Sequence, residues 1–296
     1  MISRDCFSIN YEDLKKSDLS KTLKIGKFLD FVAKFRILVF LIFCVKCLDK
    51  TSVIRVLLNR LCIEKTCFFE SKCEDLDFKF ILNKGKGFGI ISPKFFEPRV
   101  YRFMTAVVGD LFIDIGANVG GYSILNYRRF KKVIAVEPGA TQFRMLKDNI
   151  KLNQITTIET LNNAICTKEG LIKLYKSANL VNYSIVHHNQ EYEIVNSTTL
   201  DNLLLNFEYV DLLKIDVEGA ELEVIRSGLD QIRKVYLIII EVRKLYFNII
   251  NQLLEKAGFR HIILEERVSG ERNVLFVNEN KNLTFASPIS FKRHKP

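Results

Sequence analysis

Two hydrophobic patterns alternate along most of this chain. Between about residues 76 and 278, short runs that are apolar throughout are separated by segments with a single apolar face. Residues 111–115 (L-F-I-D-I) form such a run, bounded by Gly109-Asp110 and Gly116, and predict a strand buried on both faces. Residues 133–136 repeat the pattern and stop at Glu137-Pro138, with a helix expected between them over 119–130. In residues 141–153, Phe143, Met145, Leu146 and Ile150 fall on one side while Arg144, Lys147, Asp148 and Lys151 face water, the signature of an amphipathic helix. Further strands are expected at 157–161, 171–175, 210–215, 235–242, 261–264 and 274–277. Further helices fit 200–205, 220–226 and 248–256, the last closed by Ala257-Gly258. Doubly apolar strands joined through helices imply a doubly wound α/β fold with a parallel sheet covered on both sides. The last two strands are linked by only a short polar loop, residues 265–273, which is too brief for a crossover helix. They are expected to form an antiparallel hairpin at the sheet edge.

Residues 1–75 read differently, as a basic, apolar-rich helical leader, and residues 281–296 as a polar basic tail; the α/β domain occupies 76–280. The leader holds nine consecutive apolar residues, 37–45, bracketed by Lys34, Arg36, Lys46 and Asp49. A spanning helix needs about 20 apolar residues, so this run is expected to pack against the main domain. Residues 30–50 could otherwise make peripheral contact with a membrane surface. With 296 residues, 48% hydrophobic and 26% charged, the chain is globular rather than disordered. Its net charge of +10 raises nucleic acid, anionic membrane or a phosphorylated substrate as partners, but the charge is dispersed and a solvated surface accounts for it. Seven cysteines and no signal-peptide pattern in the first ten residues lead to the expectation of free thiols and a cytoplasmic location. Cys44, Cys47, Cys62, Cys67 and Cys73 could supply four zinc ligands, yet the first pair lies in the most apolar run with no turn beside it, so reduced cysteines and no metal are expected. His187-His188, in a polar stretch without an orienting carboxylate, reads as a solvated loop.

Three segments carry candidate chemistry. Asp114 to Gly121 (D-I-G-A-N-V-G-G) lies where a buried strand turns into a helix; Gly116 permits a tight turn, and Gly120 or Gly121 a close approach. A dinucleotide fingerprint fails, because the second glycine position is Asn118. A carboxylate at Asp114 would repel a pyrophosphate but favour a cationic amino-acid end. In the second segment, V-I-A-V-E-P, Glu137 lies 21 residues beyond Gly116 (137 − 116), where a doubly wound fold places the carboxylate that grips ribose hydroxyls. The third, Lys214 to Glu221 (K-I-D-V-E-G-A-E), projects Asp216 and Glu218 at a strand's carboxyl end, although acids in a first helical turn are also stabilised by the helix dipole. Glu241 closes the apolar run Y-L-I-I-I-E-V, where an unpaired buried charge would be costly.

Taken in order, D-I-G-A-N-V-G from Asp114, V-I-A-V-E-P through Glu137, L-K-D-N-I-K-L-N to Asn153, N-A-I at Asn163, T-L-D-N-L around Asp201, V-D-L-L-K-I-D-V-E-G-A-E-L-E-V-I and I-I-I-E-V through Glu241 resemble the FkbM family of S-adenosylmethionine-dependent methyltransferases. The match covers about residues 97–278, and K-I-D-V-E-G-A-E is its most specific segment. The resemblance implies a class I methyltransferase (Rossmann-like) sheet of seven strands with the last antiparallel. It implies S-adenosyl-L-methionine as cofactor, with Asp114, Gly116, Asn118 and Gly120 at its methionine end, Glu137 at the ribose hydroxyls, Asn163 and Ala164 bordering the adenine, and Ala117 and Pro138 also in the cofactor site. The implied acceptor is a hydroxyl on a sugar, glycolipid or other small molecule. One departure stands out: many members place a histidine after the glutamate ending the fifth strand, whereas Arg243 follows Val242 here.

An alcohol is a weak acid, so methylating it calls for a group that takes its proton; Asp216, Glu218 and Glu241 are the candidate catalytic residues. A catalytically silent methyltransferase fold that binds a membrane or protein partner through the leader is the competing expectation. Nucleic acid is disfavoured as a substrate, because the fourth strand ends in D-V-E-G and no aromatic stacking platform is evident.

Overall fold

The computed structural model describes residues 67–73, 76–82, 97–176, 183–184, 191–267 and 270–281. In chain order, the elements are β1 (Cys67–Cys73), β2 (Leu76–Leu82), α1 (Pro98–Met104), β3 (Gly109–Ile115), α2 (Gly121–Asn126), β4 (Phe130–Val136), α3 (Ala140–Leu152), β5 (Ile158–Leu161) and β6 (Ala164–Ile165). They continue with β7 (Gly170–Lys176), β8 (Tyr183–Ser184), β9 (Tyr192–Thr198), α4 (Leu200–Leu205), β10 (Val210–Ile215), α5 (Glu221–Arg226), β11 (Val235–Arg243), α6 (Lys244–Lys256), β12 (Phe259–Glu266) and β13 (Glu271–Asn278). Local chemistry sets several boundaries. Pro98 starts α1, where its missing N–H costs nothing. Thr199 caps α4 by accepting the Asn202 N–H. Gly258, at φ +93°, ends α6 in the left-handed conformation that glycine tolerates.

Seven strands form one sheet in the order β12-β13-β11-β10-β3-β4-β5. β11, β10, β3, β4 and β5 run parallel, and β13 is antiparallel to both β11 and β12. This is the class I methyltransferase arrangement, a Rossmann-like doubly wound sheet with an antiparallel last strand. Both faces are covered. On one, Phe112, Val133, Leu212 and Ile239 pack with Phe103 and Met104 of α1, Ile124 of α2 and Leu146 of α3. On the other, Ile113, Ile134, Leu213 and Ile238 pack with Leu204 of α4, Val224 of α5 and Ile250 of α6. Because side chains alternate across a strand, a strand buried on both faces must be apolar throughout. That is why β3, β4, β10 and β11 are built around apolar runs, broken inside the sheet by Asp114 in β3 and Lys214 in β10.

Two expectations need correction. The helical leader does not extend to residue 75: Cys67–Cys73 is a strand, paired antiparallel with β2. The alternation L-D-F-K-F at 76–80 carries that ribbon, and Phe80 is buried in the main core. The remaining leader, with the apolar run 37–45, Cys44, Cys47 and Cys62, lies outside the described residues, as do His187, His188 and the tail beyond Lys281. Residues 171–175 do form a strand, but in a separate four-stranded sheet ordered β6-β9-β7-β8 rather than in the main one. Strand β9 went unread because its outward positions carry Tyr192 and Ile194 while Ser197 is buried, so burial and polarity disagree there. Cys166 is buried and free. Among the described residues, no helix is long and apolar enough to cross a membrane.

Candidate active site

Strand parity places the candidate residues together. Lys214 pairs in register with Asp114 on one side and Ile239 on the other, Asp114 with Ala135, and Glu241 with Asn273. Stepping by two along each strand, Asp114, Glu137, Lys214, Asp216, Glu241 and Asn273 therefore share one face of the sheet. Deeper on that face the same rows hold Phe112, Val133, Ala135, Leu212, Leu237, Ile239 and Leu275, all buried. The face changes from apolar to charged at the carboxyl ends of the parallel strands, where open α/β sheets bind ligands.

The turns after β3 and β4 form one unit. Gly116 has φ +82°, and a Cβ there would lie 1.9 Å from the Asp216 carbonyl oxygen, so only glycine lets the turns after β3 and β10 approach. The N–H groups of Gly116 and Ala117 both donate to the Val136 carbonyl, at 2.9 and 3.0 Å. Asn118 is also left-handed, at φ 53°, and its N–H donates to Glu137 Oε2 at 2.9 Å. The other oxygen of Glu137 accepts the Gly139 N–H at 2.9 Å. From α3, the buried Asn149 side chain donates to the Val119 carbonyl, and Asn162 donates to the carbonyls of Glu137 and Pro138. Burial pushes the Glu137 carboxyl up to about 7; the two backbone donors oppose this, and the charges of Asp114 and Glu193 add to it. Asn163 is half-buried beside this turn, while Ala164 is buried in a small core with Leu174 and Val195.

Beside the turns lies a chain of linked ionisable and hydroxyl groups. Ser123 donates to Asp114 Oδ2 at 2.6 Å, whereas the buried Oδ1 has no hydrogen-bond partner among the described residues and lies 4.0 Å from Lys214 Nζ. Burial raises the Asp114 pKa, against the pull of Lys214 and Ser123. Lys214 Nζ donates to Asp216 Oδ2 at 2.9 Å and sits 4.7 Å from the centre of the Tyr122 ring. Burial disfavours its charge, but Asp216, Asp114 and Glu97 outweigh that and raise its pKa. The Tyr122 hydroxyl donates to Glu97, the residue preceding α1. Glu97 Oε1 also accepts from Arg267 at 2.7 Å and Asn273 at 3.0 Å. Arg267, which follows β12, donates in turn to Glu241 at 2.7 Å and Glu271 at 3.3 Å. Burial pushes Glu241 well up, helped by Asp216 and Glu97 and opposed by Arg267.

The structure thus brings Asp216 and Glu241 to one place, with Glu218 close enough for its charge to act on Glu241. Glu218 occupies a left-handed conformation at φ 55°. The next residue, Gly219, lies against the Arg243 guanidinium, whose carbon would be 3.1 Å from an added Cβ. Glu221, also buried, accepts the Gly219 N–H at 2.8 Å and is pushed up to about 7 by burial. Sequence reasoning gave no role to Glu97, Tyr122, Asn149, Lys214, Arg267 or Asn273. One signal was available: Lys214 interrupts an interior parallel strand, and a buried cation needs an anion. The Glu97 to Arg267 contact spans 170 residues and leaves no local trace.

Compared with known proteins, residues 114–261, half of the chain, match the model of the methyltransferase FkbM domain. Methyltransferase sdnD of Sordaria araneosa is 25% identical over 207 residues, covering 57% of this chain and 76% of that protein. Among solved structures, the methyltransferase FkbM of Methylobacillus flagellatus KT is similar at 14% identity and a TM-score of 0.41, with 57% of this chain and 43% of that one covered. Trm5b of Pyrococcus abyssi is similar at 15% identity and a TM-score of 0.42, covering 72% of this chain and 56% of that one. The chain therefore spans about half the length of these two structural relatives.

Proposed function

The chain belongs to the FkbM family of methyltransferases, and on that premise we propose that it transfers a methyl group from S-adenosylmethionine to a hydroxyl oxygen of a sugar, glycolipid or other small molecule. The observation that carries this reading is the single polar row across the strand ends, in which Glu137 is bonded to the N–H of Asn118 and Asp216 is held by Lys214. The residues fit the cofactor. The unpartnered oxygen of buried Asp114 suits a cationic amino-acid end, and Glu137 has lone pairs left for ribose hydroxyls. When bound, S-adenosylmethionine supplies an electrophilic methyl group on a sulfonium.

The chain's own residues must align the acceptor oxygen and remove its proton. With S-adenosylmethionine bound, its methyl group would pass from sulfur to the acceptor oxygen, and a carboxylate of the chain would take the hydroxyl proton. Asp216 is best placed to receive it: one oxygen is fixed by Lys214, and its side chain is 27% exposed. Glu241 is engaged by Arg267 and pushed towards its protonated form, so it serves better to orient the acceptor. Glu218 completes the acidic wall.

Calorimetry of the full chain with S-adenosylhomocysteine tests the cofactor. Binding that Glu137→Ala abolishes is expected; no heat at millimolar ligand overturns the assignment. Transfer of labelled methyl groups to a panel of sugars and glycolipids tests the acceptor. Label recovered in methyl ethers supports oxygen, and label recovered on nitrogen or carbon overturns it.

A further inference from the structure

Lys214 touches both halves of the polar row. It pairs in register with Asp114 across β3 and β10, and Asp216 follows two residues on, just past the end of its strand. Its ammonium is 2.9 Å from Asp216 and 4.0 Å from Asp114, with the Tyr122 ring beneath it at 4.7 Å. The side chain is 6% exposed, so water screens these contacts little. Around it stand Asp114 on β3, Tyr122 on α2, Glu97 before α1 and Asp216 after β10. Two carboxylates this close to one cation cannot both be fully neutralised by it. Asp114 shows the shortfall, since one of its buried oxygens has no hydrogen-bond partner among the described residues.

We propose that Lys214 is a positioning residue that electrostatically couples the cofactor side of the site to the acceptor side. While Asp114 has no cationic ligand, Lys214 serves both carboxylates. A ligand ammonium arriving at Asp114 takes over part of that neutralisation, and the Lys214 charge is then concentrated on Asp216, fixing it towards the acceptor. The converse follows by linkage: whatever removes the Asp216 charge leaves Lys214 to Asp114 alone and weakens binding of a cationic ligand there. This inference rests on the cofactor assignment above.

A double-mutant cycle on S-adenosylhomocysteine binding, read by calorimetry with the full chain at pH 7.5, tests it. Asp216→Asn, on the acceptor side, weakens binding by about 3- to 10-fold in the wild-type background. In the Lys214→Met background the same change alters affinity by less than about 2-fold, and Lys214→Arg restores most of the coupling. A lysine that merely fills space would give an additive cycle, and additivity overturns the proposal. Should Lys214→Met fail to fold, Asp216→Asn alone decides: unchanged affinity overturns the coupling, and weaker affinity with the acceptor absent supports it. Failure of the wild-type chain to bind the ligand would instead remove the cofactor assignment itself.

Discussion

Replacing Glu137 by glutamine isolates one buried carboxyl whose two protonation states should be distinguishable by both stability and binding. The residue is 5% exposed, and its pKa is raised from the ordinary 4.5 to about 7. Ionising it in the folded chain is therefore harder than in the unfolded chain by about 3 kcal/mol. The folded state holds this proton longer, so the stability linked to Glu137 is complete below pH about 4.5 and declines as pH rises through about 7. Glutamine cannot ionise. It can accept from only one of the Asn118 and Gly139 N–H groups, which costs about 1 to 3 kcal/mol at low pH. The stability of Glu137→Gln relative to wild type should consequently climb by about 3 kcal/mol between pH 4.5 and 8, measured by urea unfolding at half-unit intervals. Taking the difference cancels the similar titration of Glu221. Cofactor binding should move the other way, because ribose hydroxyls need an ionised acceptor. Wild-type affinity for S-adenosylhomocysteine should rise several-fold per unit up to pH about 7, and the variant should lack that component. Parallel stability curves for the two proteins would refute the burial argument.

Other residues give sharper, simpler expectations. Gly116→Ala places a Cβ 1.9 Å from the Asp216 carbonyl at a left-handed position, so the β3 and β10 turns must separate. Circular dichroism should show a lower melting temperature, and affinity for S-adenosylhomocysteine should fall at least tenfold. Asn149→Leu removes the donor to the Val119 carbonyl and leaves it buried without that partner; unfolding should become easier by about 1 to 3 kcal/mol in a denaturant titration. Arg267→Met takes the cation away from Glu97, Glu241 and Glu271. Glu241 then rises further, so the loss of stability should be smallest near pH 5 and grow towards pH 8, with a maximum of about 1 to 3 kcal/mol after allowing for the partial exposure of Arg267.

Much of the fold was legible because burial on both faces writes itself into consecutive residues. β3, β4, β10 and β11 could be read from apolar runs alone, and the brief link between β12 and β13 gave their antiparallel pairing. The small second sheet was harder. β6 and β8 have two residues each, and β7 resembles a main-sheet strand in composition even though Leu171 is exposed. In the site, Asp114, Glu137, Asp216 and Glu241 stood out because each is a charge ending an apolar strand. Their partners did not. Glu97, Tyr122 and Arg267 come from a helix entry, a helix and a hairpin turn, and only the assembled fold brings them within hydrogen-bonding reach of one another. Arg243 packs against Gly219 and so shapes the turn bearing Glu218.

The most direct test is a crystal structure of the full chain with S-adenosylhomocysteine. The account predicts ribose hydroxyls hydrogen-bonded to the Glu137 carboxylate, with the amino-acid end over the Gly116 to Gly120 turn beside Asp114. Ligand found instead in the open groove of Lys147, Lys151, Gln154 and Thr160, or with Glu137 still remote from the ribose, would contradict it.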